Sequence, residues 1–392
     1  MSSTLGVQRP LPSWPTAVFC TGCVLAHCVA VPGVAHAQAY WMPLGGLPGG
    51  GGGSSGLGIS ADGSTVVGQS GSGLGPEAFR WTLATGMQGL GDFPTGLFDS
   101  KAVAVSADGS IVVGTGTHSG ANEAFRWTQE GGMKGIGFLS GDVFHSEATG
   151  ISADGRFVVG KSTLEGVPSV EAFRWSEETG MVGLGGIVAN GFSAATAVSG
   201  DGSVVVGQAG SVAGGQAFRW TPGEGMSDLG DLPGGSFLST ALGVSADGSA
   251  IVGWGVSDDG DEAFRWTAAD GMIGLGDLLG GFFISNALAV SGDGSVVVGR
   301  GTSPSGGEAF IWDEVNGMRS LREVLTSEFG LDLTGWSLLD AAGITPDGRS
   351  IVGTAINSQG LRSAYLAHIP EPTAGMLTLL AALLVTLRRR SA

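Results

Sequence analysis

The chain has 392 residues, of which 74 are glycine, and only 14% of its residues are charged. All 35 acidic residues and 14 of the 18 basic residues lie between positions 38 and 372, so this region carries a net charge of −21. Such an acidic surface repels nucleic acid and anionic lipid, and we expect no nucleic-acid partner. The three cysteines, Cys20, Cys23 and Cys28, leave the region after residue 37 without disulfides or a thiol nucleophile.

The first 37 residues have the features of a secretory signal peptide. Arg9 is the only charged residue before position 38, and an apolar run occupies residues 14–31. The small residues Ala35 and Ala37 then form an A-x-A cleavage pattern. We expect cleavage after Ala37 and assign residues 1–37 to the signal peptide, with an uncleaved N-terminal anchor as the alternative.

Residues 38–369 are built from a repeat of about 46 residues. Each copy carries Ser-x-Asp-Gly, or Thr-x-Asp-Gly in the last one, followed by Val/Ile-Val-Gly. The first six copies continue with Glu-Ala-Phe-Arg-Trp or a near copy and with Gly-Met. The Asp-Gly pair predicts a tight hairpin, because Gly accepts positive φ and Asp hydrogen-bonds within its own turn. The aspartates of this motif are Asp62, Asp108, Asp154, Asp201, Asp247, Asp293 and Asp347.

Four short strands in about 46 residues are typical of one β-propeller blade. Alternation places Phe79 and Trp81 on one side of their strand, where they would fill the space between adjacent sheets. Residues 40–47 resemble the last strand of a unit that lacks its first three, and residues 341–369 supply three strands. We predict an all-β fold, a seven-bladed propeller whose last blade is closed by the N-terminal strand. An open β-solenoid is the alternative.

The sixth repeat is longer than the others. Ser320 and Glu323 have the spacing of a capping box, which predicts a short helix that reaches about Phe329 and ends at Gly330. We interpret this helix as a local cap over the closing blade.

Residues 370–392 have the composition of a targeting tail. Pro370, Glu371 and Pro372 precede an apolar stretch of about 14 residues, which is shorter than the roughly 20 residues that cross a bilayer. Arg388, Arg389 and Arg390 follow, and such a cluster stays on the cytoplasmic side. These features resemble the PEP-CTERM sorting tail of Gram-negative envelope proteins. The resemblance implies membrane insertion through the tail and processing by an exosortase; a plain C-terminal anchor is the alternative.

A second resemblance is carried by four segments between residues 229 and 266. They are Leu-Gly-Asp-Leu-Pro-Gly-Gly, Gly-Val-Ser-Ala-Asp-Gly, Ile-Val-Gly and Glu-Ala-Phe-Arg-Trp. These segments resemble the HAF family of extracellular repeats, and the similarity extends over residues 40–368. The resemblance implies secretion to the envelope, outer surface or extracellular matrix of a Gram-negative-type bacterium. The histidine that names the family is replaced by Glu or Gln here, so any role of that histidine does not carry over.

The sequence contains no recognisable catalytic set. After the signal peptide only His118, His145 and His368 remain, at unrelated positions. We therefore expect a non-enzymatic binding or structural module with no catalytic residue, no cofactor and no metal site. An exopolysaccharide or another envelope component is the partner we consider. The alternative is a glycan-processing propeller enzyme, sialidase-like or lyase-like, which needs an acid/base pair of carboxylates found in only one or two blades.

The most variable segments precede the Glu-Ala-Phe motif, and all of them would lie on one rim. Binding residues concentrate on such loops, so this rim is the candidate binding surface. Asp258, Asp259, Asp261 and Glu262 form the only dense acidic cluster and the best position for Ca²⁺, although they lack a specific ligand spacing. The Glu and Arg of the Glu-Ala-Phe-Arg-Trp motif predict a series of ion pairs between blades.

Overall fold

The computed structural model describes residues 38–370, apart from residues 52, 96, 140–144, 165–169 and 190. The predicted signal peptide, with Ala35 and Ala37, and the tail from Glu371 through Arg390 therefore lie outside the described residues. Within the described part of the chain, no helix has the length and apolar character needed to cross a membrane.

The described residues are predominantly strand. The strands are β1 (Tyr40–Pro43), β2 (Ser54–Ile59), β3 (Thr65–Gly71), β4 (Pro76–Thr82), β5 (Gly86–Gly89), β6 (Ser100–Val105), β7 (Ile111–His118), β8 (Ala121–Thr128), β9 (Gly132–Gly135), β10 (Ser146–Ile151), β11 (Val158–Thr163), β12 (Val170–Ser176), β13 (Gly180–Gly183), β14 (Ser193–Val198), β15 (Val205–Gly210), β16 (Gly215–Thr221), β17 (Gly225–Asp228), β18 (Gly234–Val244), β19 (Ala250–Ser257), β20 (Asp261–Thr267), β21 (Gly271–Gly274), β22 (Asn286–Val290), β23 (Val296–Ser303), β24 (Gly306–Asp313), β25 (Gly317–Ser320), β26 (Trp336–Ile344), β27 (Ser350–Asn357) and β28 (Arg362–His368).

The strands pair into antiparallel, mostly four-stranded sheets. Over the described residues, consecutive strands form β2–β5, β6–β9, β10–β13 and β22–β25. Strands β14–β21 form two further sets of four, joined through one parallel pair between Gly215 and Leu238. The remaining sheet has the order β1-β28-β27-β26, so the N-terminal strand pairs with the C-terminal one, with Tyr40 opposite His368.

The repeated Ser-x-Asp-Gly motif forms the predicted turn between the first two strands of each repeat. In the fifth repeat Ser245 Oγ donates to Asp247 Oδ1 at 2.6 Å and accepts from the Ala250 N–H at 3.0 Å. Asp247 Oδ1 also accepts from the Ser249 N–H, at 2.9 Å. Gly248 has φ +75°, which a residue with a Cβ rarely adopts. The role assigned to this motif from the sequence is confirmed.

The core lies between adjacent sheets, as the aromatic pattern predicts. Each hydrophobic cluster combines small and branched residues of one sheet with the phenylalanine of a neighbour; Phe125, for example, packs with Val67, Ala78 and Ala102. The aromatic residues of the third strands that are completely buried are Phe79, Phe125, Phe173, Phe218, Phe264, Phe310 and Tyr365. Burying a phenylalanine contributes about 1.5–3 kcal/mol, so these contacts dominate the attraction between sheets.

A buried serine at or just before the start of the first strand links each set of four strands, except the one that contains β26, to the preceding set. Ser100 Oγ accepts from the Ala78 N–H at 3.0 Å and donates to the Gly91 carbonyl at 2.6 Å. Ser54 Oγ makes the corresponding contact with the Ala364 N–H at 2.9 Å, between segments 310 residues apart. The other serines that accept an N–H in this way are Ser146, Ser193, Ser239 and Ser285.

The predicted helix of the sixth repeat is present. It begins as α1 (Leu321–Glu323), with Ser320 Oγ accepting from the Glu323 N–H at 3.2 Å, and continues as a π-helical turn to Glu328. Gly330 follows with φ +68°.

The predicted ion pairs between the repeated Glu and Arg are wrong, because the two side chains have separate partners. Four of these Glu side chains accept from a glycine N–H of their own sheet, 14 residues later, and Glu308 accepts from Ser320 Oγ. Glu77 Oε1, for example, lies 3.0 Å from the Gly91 nitrogen. The arginine extends in the other direction, and Arg80 Nε donates to the Gly109 carbonyl of the next sheet at 3.2 Å. Glu77 therefore stabilises the fourth strand of its own sheet, whereas Arg80 connects two sheets.

Candidate binding site at the rim

The two ends of the sheets differ in chemistry. At the end that carries the Ser-x-Asp-Gly turns, an apolar cavity of about 220 Å³ is surrounded by two residues from each of the seven repeats. One residue of each pair is a β-branched aliphatic residue: Ile59, Val105, Ile151, Val198, Val244, Val290 and Ile344. Because each repeat contributes the same kind of residue, this cavity offers a ligand no distinguishing group.

The turns at this end are also connected to one another through the backbone. The Ala61 N–H donates to the Ala107 carbonyl at 3.0 Å, and the Ala107 N–H donates to the Ala153 carbonyl at 3.0 Å. Three more such bonds begin at Ala153, Gly200 and Gly292. The apolar end is therefore held by a repeated backbone network.

The opposite end, here called the rim, carries the variable hairpins that the sequence analysis selected. Asp258 and Asp259 are exposed in the turn between β19 and β20, where the Asp259 N–H donates to Ser257 Oγ at 3.3 Å. Asp261 begins β20, and its carbonyl accepts from the Ser285 N–H at 2.9 Å. Glu262 accepts from the Gly276 N–H at 3.0 Å, as the corresponding Glu does in other repeats.

The acidic cluster therefore does not form a common ligand set. Glu262 has a structural role, and in the part of the chain that the structure describes no three His, Cys, Asp or Glu side chains are grouped closely enough to hold a metal ion.

A polar cavity of about 350 Å³ opens at the rim between the sheets β2–β5, β6–β9 and β10–β13. Its wall includes the carboxylates Asp99 and Glu147 and the ammonium group of Lys101. The other polar groups that line it are Gln69, Thr115, Thr117, Asn122 and Thr149. Both charge signs, amides and hydroxyls therefore face one space, which suits a ligand rich in hydroxyl and charged groups.

Most of these groups are held in place by neighbours. Glu147 Oε2 lies 3.1 Å from Lys161 Nζ, and its Oε1 lies 3.1 Å from His145 Nε2. Gln69 Nε2 donates to Asp99 Oδ1 at 3.1 Å and to the Ser100 carbonyl at 3.0 Å.

Lys101 differs from its neighbours because it is exposed and has no ion pair or hydrogen bond from its side chain among the described residues. Its charge is therefore available to a ligand, next to polar groups that are already oriented.

The cavity is asymmetric because one strand position differs from sheet to sheet. This position follows the buried serine of the first strand and pairs with the residue after Val-Gly on the second strand. Lys101 pairs with Thr115 and Glu147 pairs with Lys161. The corresponding pairs elsewhere are Ser55 with Gln69, Ala194 with Gln208, Thr240 with Trp254, Asn286 with Arg300, and Asp340 with Thr354.

Asp340 extends this polar series into the last sheet. Burial raises the pKa of the Asp340 carboxyl, and the Thr354 N–H at 2.9 Å and the charges of Arg300 and Arg362 oppose that rise. The carboxyl occupies a register irregularity between Leu338 and Asp340. Asp340 and Glu147 are thus two half-buried acidic residues at the equivalent strand position of two different sheets.

None of Asp258, Asp259, Asp261 and Glu262 lines this polar cavity, whose wall, which sequence reasoning did not select, comes from strands of the first three repeats. A signal was present: the residue after the strand-opening serine changes in every repeat, whereas its neighbours stay small.

Comparison with known proteins yields structural similarity alone, since no protein-family model and no curated protein matches the chain. An oligogalacturonate lyase in complex with manganese is 16% identical with a TM-score of 0.53, covering 80% of this chain and 88% of that one. The β-propeller domain of the Trilobed protease from Pyrococcus furiosus is 12% identical with a TM-score of 0.50, covering 85% and 94%. This chain has a β-propeller fold.

A third similarity is weaker. TolB from Acinetobacter baumannii is 12% identical with a TM-score of 0.43, covering 81% of this chain, and the chain spans 63% of the length of that protein. A TM-score this low supports no functional comparison.

Proposed function

We propose that the protein is an exported binding or structural module of the cell envelope or extracellular matrix, which holds its partner at the rim and performs no chemistry on it. The observation that carries this proposal is the polar cavity beside Lys101, Asp99 and Glu147. It is an asymmetric group of side chains on an otherwise repeated frame, and binding needs such asymmetry.

The frame we propose is a closed ring of seven blades, with β1 completing the last blade. Two residues from each of the seven repeats surround the apolar cavity, which supports this arrangement. The hydrogen bond between Ser54 and Ala364 joins the first and last repeats in the same way that the bond between Ser100 and Ala78 joins two consecutive repeats. An open ring is the alternative.

The location and the tail belong to the same proposal. The signal peptide of residues 1–37 would direct export, and the motif Pro370-Glu371-Pro372 with the arginines 388–390 would be read by an exosortase-type enzyme. Intact mass of the protein from the native host's envelope and medium tests both steps. A mass from Gln38 to about Pro372 is expected, and a mass that retains Arg390 would contradict tail processing.

The partner we propose for the rim is an exopolysaccharide, whose hydroxyl and carboxylate groups match the amides, hydroxyls and ammonium of the cavity. Polysaccharide from the host's matrix should bind the purified protein, and Lys101→Ala should weaken that binding at least tenfold. Lys134→Ala is the matched control, because Lys134 is exposed on the outer strand β9 away from the cavity. Equal binding by both variants would contradict the site.

The alternative is a lyase-like enzyme at the same cavity. The presence of two carboxylates, Asp99 and Glu147, in one cavity favours it, because a carboxylate pair confined to neighbouring blades is what acid/base chemistry on a glycan requires. Incubation with oligogalacturonate, followed by detection of unsaturated cleavage products, separates the two. Products that disappear with Glu147→Gln would replace the binding function with catalysis.

A further inference from the structure

The interfaces between neighbouring sheets contain a repeated arginine that points at the next Ser-x-Asp-Gly turn. Arg80 Nε donates to the Gly109 carbonyl at 3.2 Å, and Arg265 Nε donates to the Gly294 carbonyl at 2.9 Å. Arg126 and Arg219 instead pair with Glu177 and Glu224. The contact between the guanidinium and the next turn therefore occurs at two of these interfaces.

This arginine is replaced by Ile311 in the sixth repeat and by Leu366 where the last sheet meets the first complete one. Arg80 of β4 lies opposite Val67 of β3. The residue at the equivalent register position of β28 is Leu366, which lies opposite Val352 of β27. Because leucine is shorter and carries no charge, the turn at Asp62 and Gly63 faces an apolar side chain instead of a guanidinium.

A cavity with a volume of about 640 Å³ lies at this interface. Leu366, Met42 and Tyr40 line it on the side of the last sheet, Asp62, Gly63 and Arg80 line it on the side of the first, and Asp108 lines it from the next one. We call it the seam cavity. It combines apolar walls with two carboxylates, one guanidinium and a turn of the kind that accepts from arginine at two sister interfaces.

An aromatic ring completes the site. Tyr40 is 40% exposed, and its ring stacks on His368 at a centroid distance of 5.3 Å. A guanidinium beside such a face gains a cation–π attraction. A guanidinium–aromatic contact also occurs at a sister interface, where the guanidinium carbon of Arg174 lies 3.5 Å from the centroid of the ring of Phe157, the residue before β11 of its own sheet.

We propose that the seam cavity binds an arginine side chain of a basic partner peptide, in the place where sister interfaces hold an arginine of their own. The guanidinium donates to the Gly63 carbonyl, pairs with the Asp62 carboxylate and stacks against Tyr40, while its aliphatic stem packs on Met42 and Leu366. The net charge of −21 between residues 38 and 372 attracts such a peptide. This site lies at the turn end and is independent of ligand binding at the rim.

The test uses two peptides and one substitution in the full chain. Calorimetric titration with acetyl-Ala-Arg-Ala-amide should show saturable binding, and the peptide with neutral citrulline in place of arginine should bind at least tenfold more weakly. Leu366→Arg places a guanidinium of the protein itself beside the cavity, so it should reduce affinity at least tenfold. Equal affinity for the two peptides, or undiminished binding by Leu366→Arg, would overturn the proposal.

A matched pair of turn variants protects this test against misfolding. Asp62→Asn and Asp247→Asn change the same position of the same turn, and each aspartate accepts from the serine two residues before it, at 2.6 Å. Only Asp62 lines the seam cavity. Weaker binding by Asp62→Asn alone supports the site, whereas equal affinities of the two variants count against it.

Discussion

Aspartates at the two ends of the sheets have opposite electrostatic properties. At the turn end, hydrogen bonds from Ser106 and Ser110 lower the pKa of the exposed Asp108 to about 2. At the rim end, burial raises the pKa of Asp92 and of Asp231, even though each accepts backbone N–H groups. The same residue type is therefore stabilised as an anion at one end and partly desolvated at the other.

The difference shows which end maintains the fold and which can vary. Each turn aspartate completes a local motif that is repeated in every sheet. Asp92 instead organises one loop, accepting from the Phe93 N–H at 2.8 Å and the Asp99 N–H at 2.7 Å. Asp99 lines the polar cavity, so the buried aspartate holds in place a group that a ligand would meet.

The largest effect on stability is expected at the turn end. Ser245→Ala removes a buried hydroxyl that joins Asp247 and the Ala250 N–H, leaving that N–H without its side-chain acceptor. We expect the free energy of unfolding to fall by about 2 kcal/mol. Ser249→Ala is the control, because its exposed hydroxyl bonds only to Asp247, and its cost should stay below about 0.5 kcal/mol. Urea unfolding of both variants measures the difference, and equal costs would contradict the importance of the turn serine.

A smaller effect should appear as the turn aspartates titrate. The unfolded chain has an aspartate pKa of about 3.9, whereas the pKa of Asp108 in the folded protein is about 2. Stability from these groups is therefore present above about pH 4 and is lost as the pH falls toward 2. The same shift direction occurs at Asp62, Asp154, Asp201, Asp247 and Asp293.

Urea midpoints measured between pH 5 and pH 2.5 test this sign. They should fall with pH, and the fall should be shallower for Asp108→Asn. A midpoint independent of pH over this range would show that the turn bonds do not favour the ionised carboxylate.

The rim aspartates should titrate in the reverse sense. Because burial raises the pKa of Asp92 and Asp231, their contribution to stability is greatest below the unfolded pKa and is lost as the pH rises through the folded value. Carboxyl-carbon NMR titration should place both midpoints above that of Asp108. A midpoint of Asp92 at or below that of Asp108 would remove the contrast between the two ends.

The sequence predicted the parts of the fold that depend on local chemistry. Asp-Gly dictated the turns, alternation placed Phe79 on its buried face, and the capping box located the helix at Ser320. The direction of Arg80 was not predictable, because alternation gives the face of a strand but not which neighbouring sheet a long side chain reaches. The predicted pairing with Glu failed for that reason.

The polar cavity could not be predicted from the sequence, for a related reason. Its residues come from three repeats, and although the sequence aligns Lys101 with Glu147 after the strand-opening serines, only the folded structure places both in the wall of one cavity. The seam cavity likewise emerges when Leu366 is aligned with Arg80 through strand pairing. Both sites consist of departures from the repeat, and a departure becomes visible once the common geometry is known.

The smallest stability effect is expected at the rim, in Lys101→Ala. Its side chain is exposed and has no ion pair among the described residues, so the free energy of unfolding should change by less than about 0.5 kcal/mol. Glu147→Gln breaks the contacts with Lys161 and His145, which are partly solvated, and should cost no more than about 1 kcal/mol.

Urea unfolding of both rim variants sharpens the comparison between the two ends. If both variants unfold like the wild type but bind the ligand more weakly, rim residues can change without destabilising the fold. That is the behaviour expected of a binding surface on a repeated scaffold. A loss of about 2 kcal/mol in Lys101→Ala, equal to that expected for Ser245→Ala, would instead make Lys101 part of the frame, and the cavity would then lose its strongest claim to a ligand.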